Sequence, residues 1–210
     1  AVTQGNRRAP TLANLAPATN HGSPPGLPPR RKPRKQQNRN FMTVNVRPPE
    51  VPDAAGIGVA HARMWLSHYG KFIEPAYLDR FDEAVLVGQW HRLLTADPGG
   101  RRIAVAVEHG RVVGIAMSVP TVRSENMALP PRQRELSMHY LMPEFQGEGL
   151  GRRLLEYVLS PHEPAQLWLP EGYDGEKRAH RFYRRAGFLS DGAVTGKEPN
   201  FGLQLSRMVR

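Results

Sequence analysis

An α/β body, α+β in its detail, is predicted over residues 41–210, with elements in the order β-α-α-β-β-β-α-β-α-β. Three observations predict it. An apolar run from Leu136 to Met142 passes through a glycine-rich turn into a stretch where Leu150, Leu154, Leu155 and Val158 recur at helical spacing. Two near-continuous apolar runs, Ile103 to Val107 and Val112 to Val119, flank Glu108-His109-Gly110-Arg111, the pattern of a hairpin with strands buried on both faces. Ala179, Phe182, Tyr183 and Ala186 fall at i, i+3, i+4 and i+7, one face of a helix that Gly187 can close from the left-handed region.

The elements follow in order. Phe41 to Val46 alternates as an opening strand, and Arg47-Pro48-Pro49 breaks it. Asp53 is placed to cap a helix running to about His68. Phe72 to Tyr77 reads as a loop, and a second helix is expected from Tyr77 or Leu78 to Leu94. Asp97-Pro98-Gly99-Gly100 is a turn leading into the hairpin. Thr121 to Arg134 reads as a loop before a strand over 135–142. After the glycine-rich turn come a helix to about Leu159, a strand from Gln166 to Leu169 and a helix over 176–186. Leu203 to Val209 reads as a closing strand.

Composition narrows the chemistry. The chain has 210 residues, enough for one domain with a sizeable core. It has no cysteine, which excludes disulfides, thiolate metal sites and a cysteine-borne covalent intermediate, and agrees with a reducing, cytoplasmic setting. No apolar stretch approaches the ~18 residues of a membrane span, so no membrane partner is expected. The eight histidines show no close ligand-type pair, so no metal is expected.

The net charge of +10 is unevenly placed. Residues 1–40 hold eight Arg and Lys and no acid, whereas residues 41–210 hold 21 basic and 19 acidic residues. The first forty residues also carry seven prolines and no aromatic residue, so they are read as a disordered basic tail that cannot bury enough apolar surface to offset chain entropy. Arg30-Arg31-Lys32-Pro33-Arg34-Lys35 could touch nucleic acid, or the tail could be solvated with no partner. Met42 is the first methionine, so the tail is read either as functional or as lying before the natural start.

The turn Gln146-Gly147-Glu148-Gly149-Leu150-Gly151-Arg152 carries the chemistry. Glycines let the backbone approach a ligand closely. The first N–H groups of a helix have no intrahelical partner, and the helix dipole favours an anion there. Arg152 adds positive charge. A Walker loop is excluded because Arg152 and Arg153 follow Gly151, and the spacing of the three glycines does not fit G-x-G-x-x-G. What fits is Q-x-x-G-x-G, from Gln146, Gly149 and Gly151. Ala179-His180-Arg181-Phe182-Tyr183-Arg184-Arg185-Ala186-Gly187-Phe188 adds A-x-x-F-Y-x-x-x-G-F. In both motifs, and in the element order, residues 41–210 resemble the GNAT superfamily of N-acetyltransferases, with the tail outside the resemblance.

The resemblance implies a mixed central sheet flanked by helices. It implies acetyl-CoA as donor and transfer to an amine acceptor by direct attack in a ternary complex. The backbone of Gln146, Gly147, Glu148, Gly149, Leu150, Gly151 and Arg152 would bind the pyrophosphate. The backbone of His139, Tyr140 and Leu141 would pair with the pantetheine arm, and one N–H there would hold the thioester oxygen. Tyr183 matches the general acid that protonates the leaving thiolate. The base is open between two residues. Glu135 opens the strand roughly 20 Å from Leu141, at about 3.3 Å per residue, and would work through water. His139 is nearer and has a suitable pKa range, or is simply packed. Relatives often carry Asn where this chain has Glu176, which puts one donor contact in question. Trp65, Tyr69, Phe72, Glu74 and Tyr77 either wall the acceptor or belong to the core. A homodimer is admitted. A degenerate acetyl-CoA-binding module with a nucleic-acid-binding tail is the alternative, and Tyr183 argues against it.

Overall fold

The computed structural model describes residues 44–121, 131–173, 175–196 and 202–210. The readings of residues 1–40 as a tail, of 41–43 as strand and of 122–130 as loop lie outside the described residues. The rest forms a seven-stranded mixed sheet in the order β1-β2-β3-β4-β5-β7-β6 with helices against it, the architecture expected.

Strand β1, Asn45–Arg47, is short because Pro48 and Pro49 follow, and it pairs antiparallel with β2, Arg102–Glu108. The cap of the first helix, α1 (Ala54–Tyr69), differs from expectation. Asp53 has helical backbone angles and makes no side-chain cap bond. It ends a 3₁₀ turn, Val51–Asp53, and its carboxylate accepts from the Glu50 N–H at 2.7 Å and from the two terminal Arg47 guanidinium nitrogens at 2.6 and 2.8 Å. Helix α1 still begins right after Asp53, as the sequence suggests, but a 3₁₀ turn leads into it. The second helix is divided. Pro75–Phe81 is a 3₁₀ turn, and α2 runs Glu83–Thr95, with Asp82 accepting from the Ala84 and Val85 N–H groups.

The hairpin of β2 with β3, Arg111–Pro120, turns on His109 and Gly110, both at positive φ (47° and 78°), as a two-residue primed turn requires. Ala104 to Ala106 and Val112 to Ser118 are buried, as the unbroken apolar runs imply. Strand β4 is Arg134–Leu141, and its ladder with β3 skips Ser137, which bulges opposite Met117 and Ser118. Helix α3, Leu150–Val158, presses on β2, β3 and β4 with Leu150, Leu154, Leu155 and Val158 buried. It seats so closely that a Cβ on Gly114 would come within 2.8 Å of the Leu154 side chain. Strand β5, Gln166–Pro170, is parallel to β4 but pairs with it only at Glu135↔Gln166. Helix α4, Glu176–Arg185, packs on β5 and ends at Gly187, whose φ is +87°.

One strand escaped the sequence reading. Leu189–Val194 is β6, an exposed edge strand interrupted by a register shift between Ser190 and Val194. Its Ser-Asp-Gly interior has the composition of a loop, because an edge strand needs little apolar side chain. The last strand, β7 (Leu205–Val209), lies between β5 and β6.

Candidate active site

The opening between β4 and β5 organises the site. The Met142 N–H bonds the Val113 carbonyl across the β3–β4 ladder. Bonded pairs alternate along an antiparallel ladder, so Tyr140 turns its N–H and C=O toward Ile115, and His139 and Leu141 turn theirs to the opposite edge. No residue of β4 beyond Glu135 is in register with a residue of β5. Of the three backbone partners expected at residues 139–141, Tyr140 is therefore committed to β3, and its ring packs toward α1 against His61. His139 and Leu141 keep the outward position.

The glycine turn closes one end of this edge. Gly147 and Gly149 have φ of +88° and +85°, a conformation in which glycine alone is unstrained, and a Cβ on either would meet no atom within 4 Å. The backbone there faces open space. Gly149 caps α3 without a side-chain bond, and the Arg153 N–H makes the first α-helical turn with the Gly149 carbonyl. The N–H groups of Leu150, Gly151 and Arg152 precede that turn and have no intrahelical acceptor. Gln146 braces the turn from within, its Nε2 donating to the Leu141 carbonyl at 3.0 Å. Glu148 is exposed. The Arg152 side chain pairs with Glu156 one turn along α3 at 2.6 Å, so its charge lies over the helix flank.

Tyr183 and His139 meet beside the turn. The Tyr183 hydroxyl lies 3.0 Å from His139 Nδ1, and His139 Nε2 lies 2.9 Å from the Gly151 carbonyl. A carbonyl oxygen only accepts, so Nε2 carries the proton, and bare Nδ1 accepts from the tyrosine. Burial lowers the His139 pKa to about 4, which keeps the ring neutral. Its one basic nitrogen is thus occupied and weakly basic, which disfavours the reading of His139 as base. Burial, then Tyr173 and Tyr140 nearby, holds the Tyr183 pKa well above the ordinary phenol value.

Glu135 stands apart from that pair. Its Oε2 accepts from Gln166 Nε2 at 2.9 Å, at the one point where β4 and β5 pair. Burial raises its pKa to about 6, opposed by the Gln166 bond and by Arg207. Glu176 has a role the sequence left open: its carboxylate accepts from the Gly172 N–H at 2.9 Å and so closes the turn before α4. Two of the five residues considered for an acceptor wall belong to the core. The Trp65 ring stacks on Phe81, and Tyr69 meets Tyr173 edge-on. Phe72 and Tyr77 are half-buried, and Glu74 is exposed and lies against Gly202. The sequence reading also missed His61, whose Nδ1 accepts from Trp90 Nε1 at 3.1 Å behind Tyr140.

Residues 62–188 match the acetyltransferase (GNAT) family. A Mycobacterium bovis protein named an uncharacterized N-acetyltransferase is 30% identical over 148 residues, covering 69% of this chain and 88% of that protein. A Mycobacterium tuberculosis protein of the same description matches equally. Among solved structures, yncA of Salmonella typhimurium, solved with its cofactor acetyl-CoA, has a TM-score of 0.56 at 20% identity, over 80% of this chain and 92% of that one. The PaiA N-acetyltransferase of Thermoplasma acidophilum, in complex with coenzyme A, has a TM-score of 0.50 at 14% identity, over 79% of this chain and 98% of that one. These two structures speak for the fold. The chain belongs to the GNAT acetyltransferase family, and its class is that of an acetyltransferase. No helix among the described residues is long and apolar enough to cross a membrane.

Proposed function

We propose that the chain transfers acetyl from acetyl-CoA to an amine by direct attack, with both substrates bound together. The observation that carries this is the juxtaposition of N–H groups without intrahelical acceptors at the start of α3, the outward edge of β4 at His139 where β5 is out of register, and the Tyr183 hydroxyl beside them. The site fits the donor on its own chemistry. The N–H groups of Leu150, Gly151 and Arg152 and the left-handed glycines suit a pyrophosphate. The outward backbone of His139 and the outward N–H of Leu141 suit an amide-bearing arm lying along the strand. When bound, acetyl-CoA supplies an acetyl group on a thiol leaving group.

The chain's residues would handle the protons. Net transfer takes one proton from the amine and gives one to sulfur. Tyr183 is proposed to give the second. Its high pKa keeps it protonated, and so able to donate, at neutral pH. Glu135 is proposed to take the first through water, being largely ionised above pH 6.

Titration calorimetry of the full chain with CoA, followed by thiol release from acetyl-CoA across a panel of amines, tests the reading. Binding at micromolar to millimolar CoA and amine-dependent thiol release are expected. Absence of binding at millimolar CoA would overturn it.

A further inference from the structure

His139 makes two hydrogen bonds with opposite demands. Nε2 faces a carbonyl, in the first turn of α3, and must donate. Nδ1 faces the hydroxyl of Tyr183, in α4, and must accept. Only the Nε2–H tautomer of a neutral imidazole satisfies both. The ring itself has little freedom. It is 4% exposed, lies 5.2 Å from the Phe182 ring, and is packed so that a Cβ on Gly151 would touch it at 3.7 Å. An aliphatic residue would fill this place without restraining the hydroxyl.

We infer that His139 is a positioning residue. It anchors the Tyr183 oxygen and ties it to the turn of α3 that offers its N–H groups. His139 exchanges no proton in this role. Tyr183 alone gives its proton to sulfur, its O–H turning from Nδ1 to do so, and is reprotonated from solvent after Glu135 has passed on the amine's proton, while the imidazole keeps its Nε2 proton throughout. The alternative, in which His139 takes the amine's proton, requires Nδ1 to leave the tyrosine and the ring to gain charge inside the core. The inference rests on the acetyl-transfer reading only for its kinetic consequence, since the tautomer can be read without substrate.

Two substitutions separate the two bonds. Asn at this position places an amide oxygen where Nδ1 stands, so it can accept from Tyr183 but cannot reach Gly151. Gln places an amide N–H where Nε2 stands, so it can reach Gly151 but offers Tyr183 nothing. In ¹⁵N-labelled full-length protein without ligand, the His139 signals, assigned by their loss in His139→Asn, should show protonated Nε2 and bare Nδ1 from pH 5.5 to 8. Tyr183→Phe should shift Nδ1 and leave Nε2 in place. In thiol release from acetyl-CoA, to an amine or to water, His139→Gln should lower kcat by roughly ten- to a hundred-fold, the scale of a misplaced reacting group. CoA affinity should stay within about two-fold, because the first turn of α3 keeps its contact. His139→Asn, which keeps an acceptor for Tyr183, should lose at least about five-fold less of kcat than His139→Gln. A proton on Nδ1, an Nδ1 signal indifferent to Tyr183→Phe, or equal kcat losses in the two His139 variants would overturn the inference. Failure of the parent to bind CoA would instead strike the acetyl-transfer reading and leave the tautomer result standing.

Discussion

Gly58 in α1 lies against the backbone of Val87 in α2, so that a Cβ on Gly58 would come within 2.5 Å of the Val87 N and Cα atoms. Those are main-chain atoms, and they cannot turn aside. The two helices are held at this distance by the missing side chain. Gly56, one half-turn earlier in α1, is different: a Cβ there would meet the Val112 side chain at 3.4 Å, an ordinary contact. Alanine is the better helix former by about 1 kcal/mol. Gly56→Ala is therefore expected to raise stability by up to about 1 kcal/mol. Gly58→Ala should lower it by about 1–3 kcal/mol, because overpacking outweighs propensity. Urea unfolding of both variants checks the contrast, and a Gly58→Ala protein as stable as the parent would show that the helices can part.

Acid should unfold this protein through two histidines. Burial lowers the pKa of His61 and of His139 to about 4, and an unfolded histidine titrates near 6.5. Between those values the unfolded chain binds more protons than the folded one, so stability present above pH 6.5 is lost as pH falls toward 4. Each residue accounts for about 3 kcal/mol. Glu135 acts in the opposite sense, gaining its proton first in the folded state, but contributes only about 2 kcal/mol between pH 6 and 4.5. The histidines prevail, and stability should fall below about pH 6.5. His61→Asn, which can still accept from Trp90, should flatten this limb by about half. An unchanged acid midpoint would remove His61 from the account.

The parts of this molecule governed by local pattern were legible in the sequence. The stripe of Leu150, Leu154, Leu155 and Val158, the His109-Gly110 turn and the closing glycine at 187 are all local signals, and each sits where expected. What the sequence left open or missed is tertiary. Trp65 and Tyr69 look the same in sequence whether they wall a pocket or fill a core, and only the position of Phe81 and Tyr173 decides. Strand β6 exists because β7 offers it an edge. The commitment of Tyr140 to β3 depends on the phase of a hydrogen-bond ladder, which a residue string does not carry. His139 and Tyr183, 44 residues apart, were each singled out, but nothing in their spacing announced the bond between them.

The turn and the tyrosine should fail differently. Gly149 needs φ of +85°, which valine tolerates poorly, and its surroundings are open, so the damage of Gly149→Val is backbone distortion where N–H groups must converge. CoA affinity should fall by at least about ten-fold, the size of an unfavourable left-handed residue. Tyr183→Phe keeps the ring and removes only a hydroxyl whose bond is to His139. CoA affinity should hold, while kcat falls by roughly a hundred- to ten-thousand-fold, the range for an acid–base group. Calorimetry beside steady-state kinetics reads the split. If both variants lost affinity and turnover in the same proportion, the separate roles would not stand.

Glu135→Gln should make the protein more stable and less active. Glu135 is buried, and above pH 6 it carries its charge against the cost of burial. Glutamine keeps the shape and an oxygen that can accept from Gln166 Nε2. Its added N–H group can also meet Gln166 Oε1, a buried acceptor without a partner among the described residues. The sign follows from linkage: a carboxyl with a raised folded pKa stabilises below its unfolded value and loses that contribution as pH rises through 6. At pH 7.5 the variant should therefore gain about 2 kcal/mol, and at pH 4.5 much less. Activity should move the other way if Glu135 takes the amine's proton. The parent's kcat/KM should rise with pH through an inflection near 6, and the variant should lose that inflection and roughly a hundred-fold or more in rate. Denaturant unfolding at the two pH values and a pH–rate profile measure both halves on the same protein. A variant that gained stability and kept the inflection would leave Glu135 as a strained structural residue and move the base elsewhere.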